Sequence, residues 1–470
     1  MITNFPKTKI LATLGPASSS MSKLFRLIEA GVNGFRINFS HGTLEEKASL
    51  YRNIKKAEIR TRKRVFIVQD LCGPKIRVGT IQDAVFLEPG QTYTFVKAET
   101  AANKGELPLP VEEIFDKLKL GETFFINDGM IEVKVKRIVS STSFQVTVLK
   151  SGFISSHKGV NFPHQNFDFP SLTDKDKEAI NFNLEYPCDY IALSFVRKPE
   201  DVLDLKKYLK RLKLDLPVIS KIEKVSAIKL IDTIIPVSDA IMVARGDLAV
   251  EAGFSGIGVL QKTIVAKAIK KGCPVIVATQ MLESMISNPI PTRAEITDIT
   301  NAVLDGADTL MLSGETAMGK YPLQVIRTMR KVIQKTEAMS HNSIVKLQKH
   351  SSIYDTVAAI AVEAASSLNS KAIVTPTMSG ATTRKIVSLR PDIHVVALTP
   401  HEHLARRLLL YRGVASEIIN FYNSTDEMIE EVEKALLSKK LLHSGDLYVL
   451  TGGTPPGNSG TTNIVRIERL

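Results

Sequence analysis

Eight short apolar runs, each followed by a helix-like stretch, constrain the fold of this chain more than any other feature. They span 8–15 (TKILATLG), 34–42 (GFRINFSHG), 65–71 (VFIVQDL), 190–196 (YIALSFV), 217–223 (PVISKIE), 240–248 (AIMVARGDL), 274–281 (PVIVATQM) and 309–316 (TLMLSGET). Between them lie amphipathic segments such as SKLFRLIEAG, DVLDLKKYLKRL and GVLQKTIVAKAIKKG. Strand, helix, strand at this rhythm predicts a parallel sheet, because a crossover helix lets consecutive strands run the same way. Eight such units are the number that closes a (β/α)8 TIM barrel. Trp is absent and aromatics make up 6% of the chain, so an aliphatic core is expected.

The rhythm breaks once, between the third and fourth strands. Residues 72–167 carry alternating strand-like runs (AVFLEPGQTYTFVKA, IEVKVKRIV, SFQVTVLKSG) and turn signals, with no long helix. An inserted all-β domain accounts for this. Beyond about residue 340, YDTVAAIAVEAASSL and ATTRKIVSL read as helices, while KAIVTPT, IHVVALTP, DLYVLTGG and TNIVRIERL read as strands. The expected plan is a barrel at 1–71 and 168–340, a β domain at 72–167 and an open α/β domain at 341–470. The stretch EAMSHNSIVKLQKHSS marks the boundary.

A net charge of +12 points to anionic partners, either nucleic acid or phosphorylated metabolites. The basic groups, such as Arg60, Arg62, Lys63, Arg64 and Lys206, Lys207, Lys210, Arg211, form no long tail and lack interleaved aromatics. They read as solvated helix faces rather than a nucleic-acid surface. Cys72, Cys188 and Cys273 are isolated, which argues against a disulfide framework and a zinc site. No signal peptide is expected from MITNFPKTKILATLG, and no run approaches the ~18 apolar residues of a membrane span. A cytoplasmic protein is the expectation.

The polar residues at the strand ends carry the chemistry. Apolar runs finish in Arg36, Asn38, Ser40 and His41; in Asp70; in Lys221 and Glu223; in Arg245 and Asp247; in Thr279 and Gln280; and in Ser313 and Glu315. In such a barrel the strand C-termini share one face, where active sites are built. Strands that turn polar on leaving the core explain one or two of these ends. Six together are costly unless something binds. Glu223 and Asp247 end neighbouring strands, where two unpaired carboxylates repel and one pKa rises. A divalent cation removes that conflict, and Mg²⁺ takes one or two carboxylates with water and substrate oxygens in its other positions. Lys221 shares a strand face with Glu223 and sets an ammonium beside that position, suited to a phosphoryl oxygen or an enolate. A buried ion-pair cluster is the alternative. In ARGDLAVE, Gly246 permits close backbone approach, and a helix start there favours a carboxylate.

The blocks FRINFSHG, SKIE, MVARGDLAVE, VATQMLESMISNPIPTRAEITDITNAVLDGAD and MLSGETAMGKYP resemble the signature blocks of the pyruvate kinases, in order and over nearly the whole chain. The resemblance implies Mg²⁺-dependent (or Mn²⁺-dependent) phosphoryl transfer from phosphoenolpyruvate to ADP in glycolysis, giving pyruvate and ATP, in a homotetramer. It implies that Glu223 and Asp247 hold the metal and that Lys221 stabilises charge on the phosphoryl group and enolate. Thr279 would lie over the enolate face where a proton arrives through water. Arg36 would bind the transferring phosphate, and the N–H groups of Gly246 and Asp247 the substrate carboxylate. His41, Arg77 and Lys158 would lie toward the nucleotide, with the β domain acting as a lid.

Many family members hold K⁺ with groups matching Asn38, Ser40 and Asp70 and a following Thr, next to a motif resembling DTKGPEIR. This chain reads DLCGPKIR, with Leu71, Cys72 and Lys75 at the changed positions. The Lys75 ammonium can replace a recruited ion, so K⁺ is not expected to be required. Cys72 reads as a small apolar filler. In VTPTMSGATTRK, Ser379, Gly380, Thr382 and Thr383 open a helix in a way that suits the phosphate of an allosteric effector, a sugar phosphate or nucleotide monophosphate. The resemblance adds a glycine-rich loop, GGTPPGNSGTTN, to that site. Simple helix capping is the alternative.

Two other readings compete: a lyase of phosphoenolpyruvate or pyruvate on a metal-bearing barrel, and a basic nucleic-acid-binding or scaffolding protein on a vestigial one. The inserted lid and Arg36 argue against the first, and the intact Lys221, Glu223, Asp247 and Thr279 set against the second.

Overall fold

A computed structural model describes residues 5–339 apart from 102, 104, 164, 166 and 168, then 352–455 and 462–470. The eight apolar runs are β1 (Lys9–Thr13), β2 (Gly34–Asn38), β3 (Phe66–Asp70), β4 (Tyr190–Leu193), β5 (Val218–Ile222), β6 (Ala240–Ala244), β7 (Val275–Ala278) and β8 (Thr309–Leu312). Each pairs in parallel with its sequence neighbours, and β8 closes on β1 with Ile10 opposite Leu310. β1, β3, β5 and β6 are buried at every position, as strands covered on both faces require. The helices between them start and stop on local signals. Ser20 caps the helix Met21–Ala30 and Gly31, at φ +119°, ends it.

The segment between β3 and β4 folds as β structure, with one six-stranded and one two-stranded sheet. Among the described residues of 72–167 there is one short helix, Glu112–Lys117, absent from the sequence-based reading, and a second helix, Asp174–Asn181, leads back to β4. The core of the β segment departs from the aliphatic expectation. Phe95 stacks on Phe144 at 5.4 Å and Phe124 on Phe162 at 4.6 Å between ring centroids, with Phe115 and Phe167 packed against them. The scarce aromatics are concentrated here, while the barrel keeps its aliphatic packing.

The C-terminal unit is a five-stranded sheet of β9 (Ala372–Pro376), β10 (Val395–Thr399), β11 (Val414–Ile418), β12 (Leu447–Gly453) and β13 (Thr462–Arg469). Its order is β11-β10-β9-β12-β13, with β13 antiparallel at one edge. β11 and the helices Glu402–Leu408 and Thr425–Ser438 were not legible in the sequence. This unit seats on the N-terminal mouth of the barrel. Tyr190 Oη donates to Arg407 O at 2.8 Å, Thr309 Oγ1 to Leu410 O at 2.8 Å and Lys9 Nζ to Val414 O at 2.7 Å. Inward-facing barrel residues such as Ile219, Met242 and Ile276 share one apolar cluster with Ile373, Val395 and Leu408. Residues 340–351 of the boundary stretch and 456–461 of the glycine-rich loop lie outside the described residues.

Candidate active site

β5 brings the central groups together. Alternation along the strand sends Lys221 to the barrel's C-terminal mouth, and Glu223 follows one residue past the strand's end. The Lys221 ammonium lies 2.7 Å from Ser194 Oγ, 3.1 Å from Glu223 Oε1 and 3.3 Å from Asp70 Oδ1. Asp70 also accepts from Arg36 Nε at 2.5 Å, and Arg36 Nη1 donates to Thr13 Oγ1 at 3.1 Å. Burial alone would push the Asp70 carboxyl up, but Lys221 and Arg36 hold it below its usual value. Burial likewise opposes the charge on Lys221, yet Asp70 and Glu223 keep its pKa above the usual lysine value. The ammonium is therefore permanent at neutral pH.

Glu223 is 2% exposed. Burial, opposed by Lys221 and reinforced by Asp247, raises its pKa. The two carboxylates thus feel each other across the strand ends. Glu223 Oε2 accepts from Phe195 N at 2.7 Å, and Asp247 Oδ1 accepts from Lys75 Nζ at 3.0 Å. This donor set fits a hard divalent cation. It offers two carboxylates whose mutual repulsion a cation relieves. Among the described residues, no group of three or more His, Cys, Asp or Glu could hold a metal, so water and substrate oxygens must complete any shell.

Thr279 follows β7 with φ +73°, and Gln280 has φ +53°. For a β-branched residue this is a strained backbone of the kind that gathers at functional sites. Thr279 Oγ1 accepts from Gly246 N at 2.8 Å and donates to Ala278 O at 2.6 Å. Gly246 opens the helix Arg245–Ala252. A Cβ at Gly246 would meet only Thr279, at 3.7 Å, so it would fill the space facing that hydroxyl rather than clash with packed protein. Arg245 fixes the same turn from beneath. It donates to Thr279 O at 2.6 Å and to Asp298 Oδ2 at 2.7 Å.

Lys75 points into the site rather than to solvent. Besides Asp247, its ammonium lies 3.8 Å from Asp128 on the β insert. Asn38 and Ser40 form their own turn, with Ser40 N donating to Asn38 Oδ1 at 3.1 Å. Arg77 Nη1 donates to His157 O at 2.9 Å and Val78 N to Lys158 O at 2.9 Å, which ties the two ends of the insert to each other. Burial, then Arg77 and other cations, lowers the His41 pKa. Its imidazole is neutral at physiological pH.

Ser194 escaped the sequence reading. It follows β4 as the other polar residues follow their strands, and its hydroxyl bridges Lys221 Nζ and Leu71 O. Glu315, expected among the converging groups, is instead held by Leu282 N and Ser313 N and shapes a loop. In the C-terminal unit, Thr382 pairs with Thr462 and Thr383 with Thr375, both buried. Ser379 lies at the surface of the cleft beneath the barrel.

Two family models match the chain: the pyruvate kinase barrel domain over residues 5–326 and the pyruvate kinase alpha/beta domain over 355–468. The chain is 40% identical over 466 residues to a pyruvate kinase of Thermotoga maritima, covering 98% of this chain and 99% of that one. It is 38% identical over 469 residues to a pyruvate kinase of Geobacillus stearothermophilus, covering 98% of this chain and 80% of the relative. A crystal structure of a pyruvate kinase from Cryptosporidium parvum superimposes with a TM-score of 0.92 at 33% identity, covering 100% of this chain and 97% of that one. With the barrel, the insert, the C-terminal unit and the Lys221 cluster all in place, the chain belongs to the pyruvate kinase family.

Proposed function

We propose that this enzyme transfers the phosphoryl group of phosphoenolpyruvate to ADP, with Mg²⁺ or Mn²⁺ and without a requirement for K⁺. The observation that carries the reading is the buried Lys221 ammonium clasped between Asp70 and Glu223, with Asp247 beside them. Phosphoryl transfer needs positioning and charge neutralisation more than covalent help, and this cluster supplies both.

Glu223 and Asp247 would hold the divalent ion, which when bound supplies positive charge to the substrate oxygens. Lys221 keeps a fixed charge beside the phosphoryl group in transit and the enolate oxygen left behind. Arg36, braced by Asp70 and Thr13, binds the transferring phosphate. The substrate carboxylate approaches the helix start at Gly246 and Asp247, and the Gly246 N–H exchanges the Thr279 hydroxyl for a substrate oxygen. Thr279 then orients the water that protonates the enolate carbon. His41, Arg77 and Lys158 face the nucleotide, and closure of the insert excludes the water that would compete as acceptor.

The Lys75 ammonium between Asp247 and Asp128 supports K⁺ independence. It sets a fixed positive charge in the site, 3.0 Å from Asp247 and 3.8 Å from Asp128, where no mobile ion has to be recruited. A phosphorylated allosteric effector, a homotetramer and a cytoplasmic location complete the reading. No single helix among the described residues is long and apolar enough to cross a membrane. Pyruvate formation that depends on ADP and proceeds at full rate in tetramethylammonium buffer is the expected result. A strict K⁺ requirement would refute the cation assignment, and pyruvate release without ADP would refute the kinase reading.

A further inference from the structure

Glu251 is a buried carboxylate outside the Lys221 cluster. It stands on the last turn of the helix Arg245–Ala252, whose first turn carries Gly246 and Asp247. Its side chain is 2% exposed, so its charge needs partners. Two groups from different parts of the molecule supply them. Lys224, the residue after Glu223, places its ammonium 2.6 Å from Glu251 Oε1. Asn161 Nδ2 donates to the same oxygen at 3.3 Å. A carboxylate only accepts, so it fixes which side of the Asn161 amide faces it.

Asn161 belongs to the insert. The strand Val160–Asn161 pairs antiparallel with Thr123–Ile126 and begins two residues after Lys158. Asn161 is 3% exposed, and Glu251 is the one hydrogen-bond partner of its side chain among the described residues, since its Oδ1 meets no donor. A hairpin tip of the insert rests on the same helix one residue earlier, where a Cβ on Gly129 would meet Val250 at 3.3 Å. The seam beside Asn161 keeps a cavity of about 40 Å³, lined also by Lys224 and Arg197, which is room for a water molecule or two. It is a contact surface rather than a ligand pocket. Arg197 holds the root of the insert separately, donating to Phe167 O at 2.7 Å and Phe169 O at 2.8 Å.

We propose that Glu251 is a positioning residue, which sets the insert strand after Lys158 in register with the two barrel elements that carry Glu223 and Asp247. Glu251 touches neither substrate nor metal. Its pair with Lys224 ties the helix to the end of β5, both within the barrel, and holds the carboxylate in one orientation. Asn161 seats the insert against that fixed group. Lys158 thereby stands at a set distance from the metal carboxylates, between which the nucleotide phosphates must lie for transfer. Misplacement by about 1 Å can cost about 10²-fold in rate, so a contact that sets this distance matters to turnover. The inference rests on the phosphoryl transfer proposed above and assigns the contact that gives the insert its seat.

The test is steady-state kinetics on the full chain, with ADP and phosphoenolpyruvate varied separately, and Mn²⁺ binding by electron paramagnetic resonance on the same preparations. Asn161→Ala leaves the Glu251–Lys224 pair intact, so the barrel should fold and take up Mn²⁺ with wild-type affinity. Its kcat/KM for ADP is expected to fall at least about tenfold, while KM for phosphoenolpyruvate stays within about twofold. Glu251→Ala should show the same split, and adding Asn161→Ala to it should cause little further loss, because the contact is already gone. Asn161→Ala decides by itself where Glu251→Ala does not fold. Wild-type kcat/KM for ADP in the folded Asn161→Ala chain overturns the positioning role and leaves phosphoryl transfer standing. Equal losses for both substrates with weakened Mn²⁺ binding, or fully additive losses in the double variant, overturn it as well. A wild-type chain that forms no pyruvate in response to ADP overturns both readings.

Discussion

Thr279 holds a β-branched side chain at φ +73° so that its hydroxyl can face Gly246. Such a conformation costs about 1–3 kcal/mol and persists only where the surroundings impose it, here through Arg245 on the Thr279 carbonyl. Thr279→Ser keeps the hydroxyl and should retain most of the turnover. Thr279→Ala removes it and should lower kcat by about 10²-fold, the scale of losing one positioned proton-transfer group. A larger fall in kcat than rise in KM is the expected signature. Equal activity in the two variants would remove Thr279 from the chemistry. That Lys221, Glu223 and Asp247 would converge on one face was legible because polar residues ended runs that were otherwise apolar. Ser194 carried the same signal, but a lone serine after YIAL is too ordinary to stand out. Its bond to Lys221 depends on β4 and β5 being neighbours in the closed barrel. The left-handed backbone at Thr279 left no trace in residue type at all.

At the level of elements, the eight barrel strands were legible because parallel strands buried on both faces are continuous apolar runs. β11 was not, since VASEI alternates between buried and half-buried positions at the edge of its sheet. The phenylalanine core of the insert was hidden for a different reason. A chain-wide aromatic fraction of 6% averages over a segment where six rings meet. That core should be necessary for the insert to act as a lid. Phe124, fully buried and touching Phe95, Phe144 and Phe162, is its centre. Phe124→Ala should cost the insert about 3–5 kcal/mol of stability. Hydrogen exchange should accelerate throughout 85–161 while the barrel strands stay protected. Uniform acceleration across barrel and insert would show that the two do not fold as separate cooperative units.

The whole molecule is held across the joint between the barrel and the C-terminal unit by charged pairs. Arg390 grips Asp308 with two bonds of 2.8 Å, and Arg406 grips Glu58, with one bond of 2.9 Å. His394 sits in this joint with its Nε2 2.9 Å from Phe5 O. Burial, then the nearby Lys9 cation, pushes its pKa down to about 4, with Lys7 acting the same way and Glu337 opposing. Between the ordinary histidine value of about 6.5 and that folded value, the unfolded chain takes up a proton that the folded chain refuses. Stability should therefore fall as pH drops through this window. His394→Gln should flatten that part of the melting-temperature profile, and an unchanged slope would assign the acid lability elsewhere.

The account as a whole depends on Glu223 and Asp247 sharing one divalent ion next to Lys221. Mn²⁺ binding followed by electron paramagnetic resonance reads this directly, without turnover. The wild-type chain should take up one Mn²⁺ per subunit in the absence of nucleotide. Glu223→Gln and Asp247→Asn should each weaken that binding by at least about tenfold, since each removes one carboxylate of a two-carboxylate site. Circular dichroism should show both variants folded. Wild-type Mn²⁺ affinity in either folded variant would contradict the account.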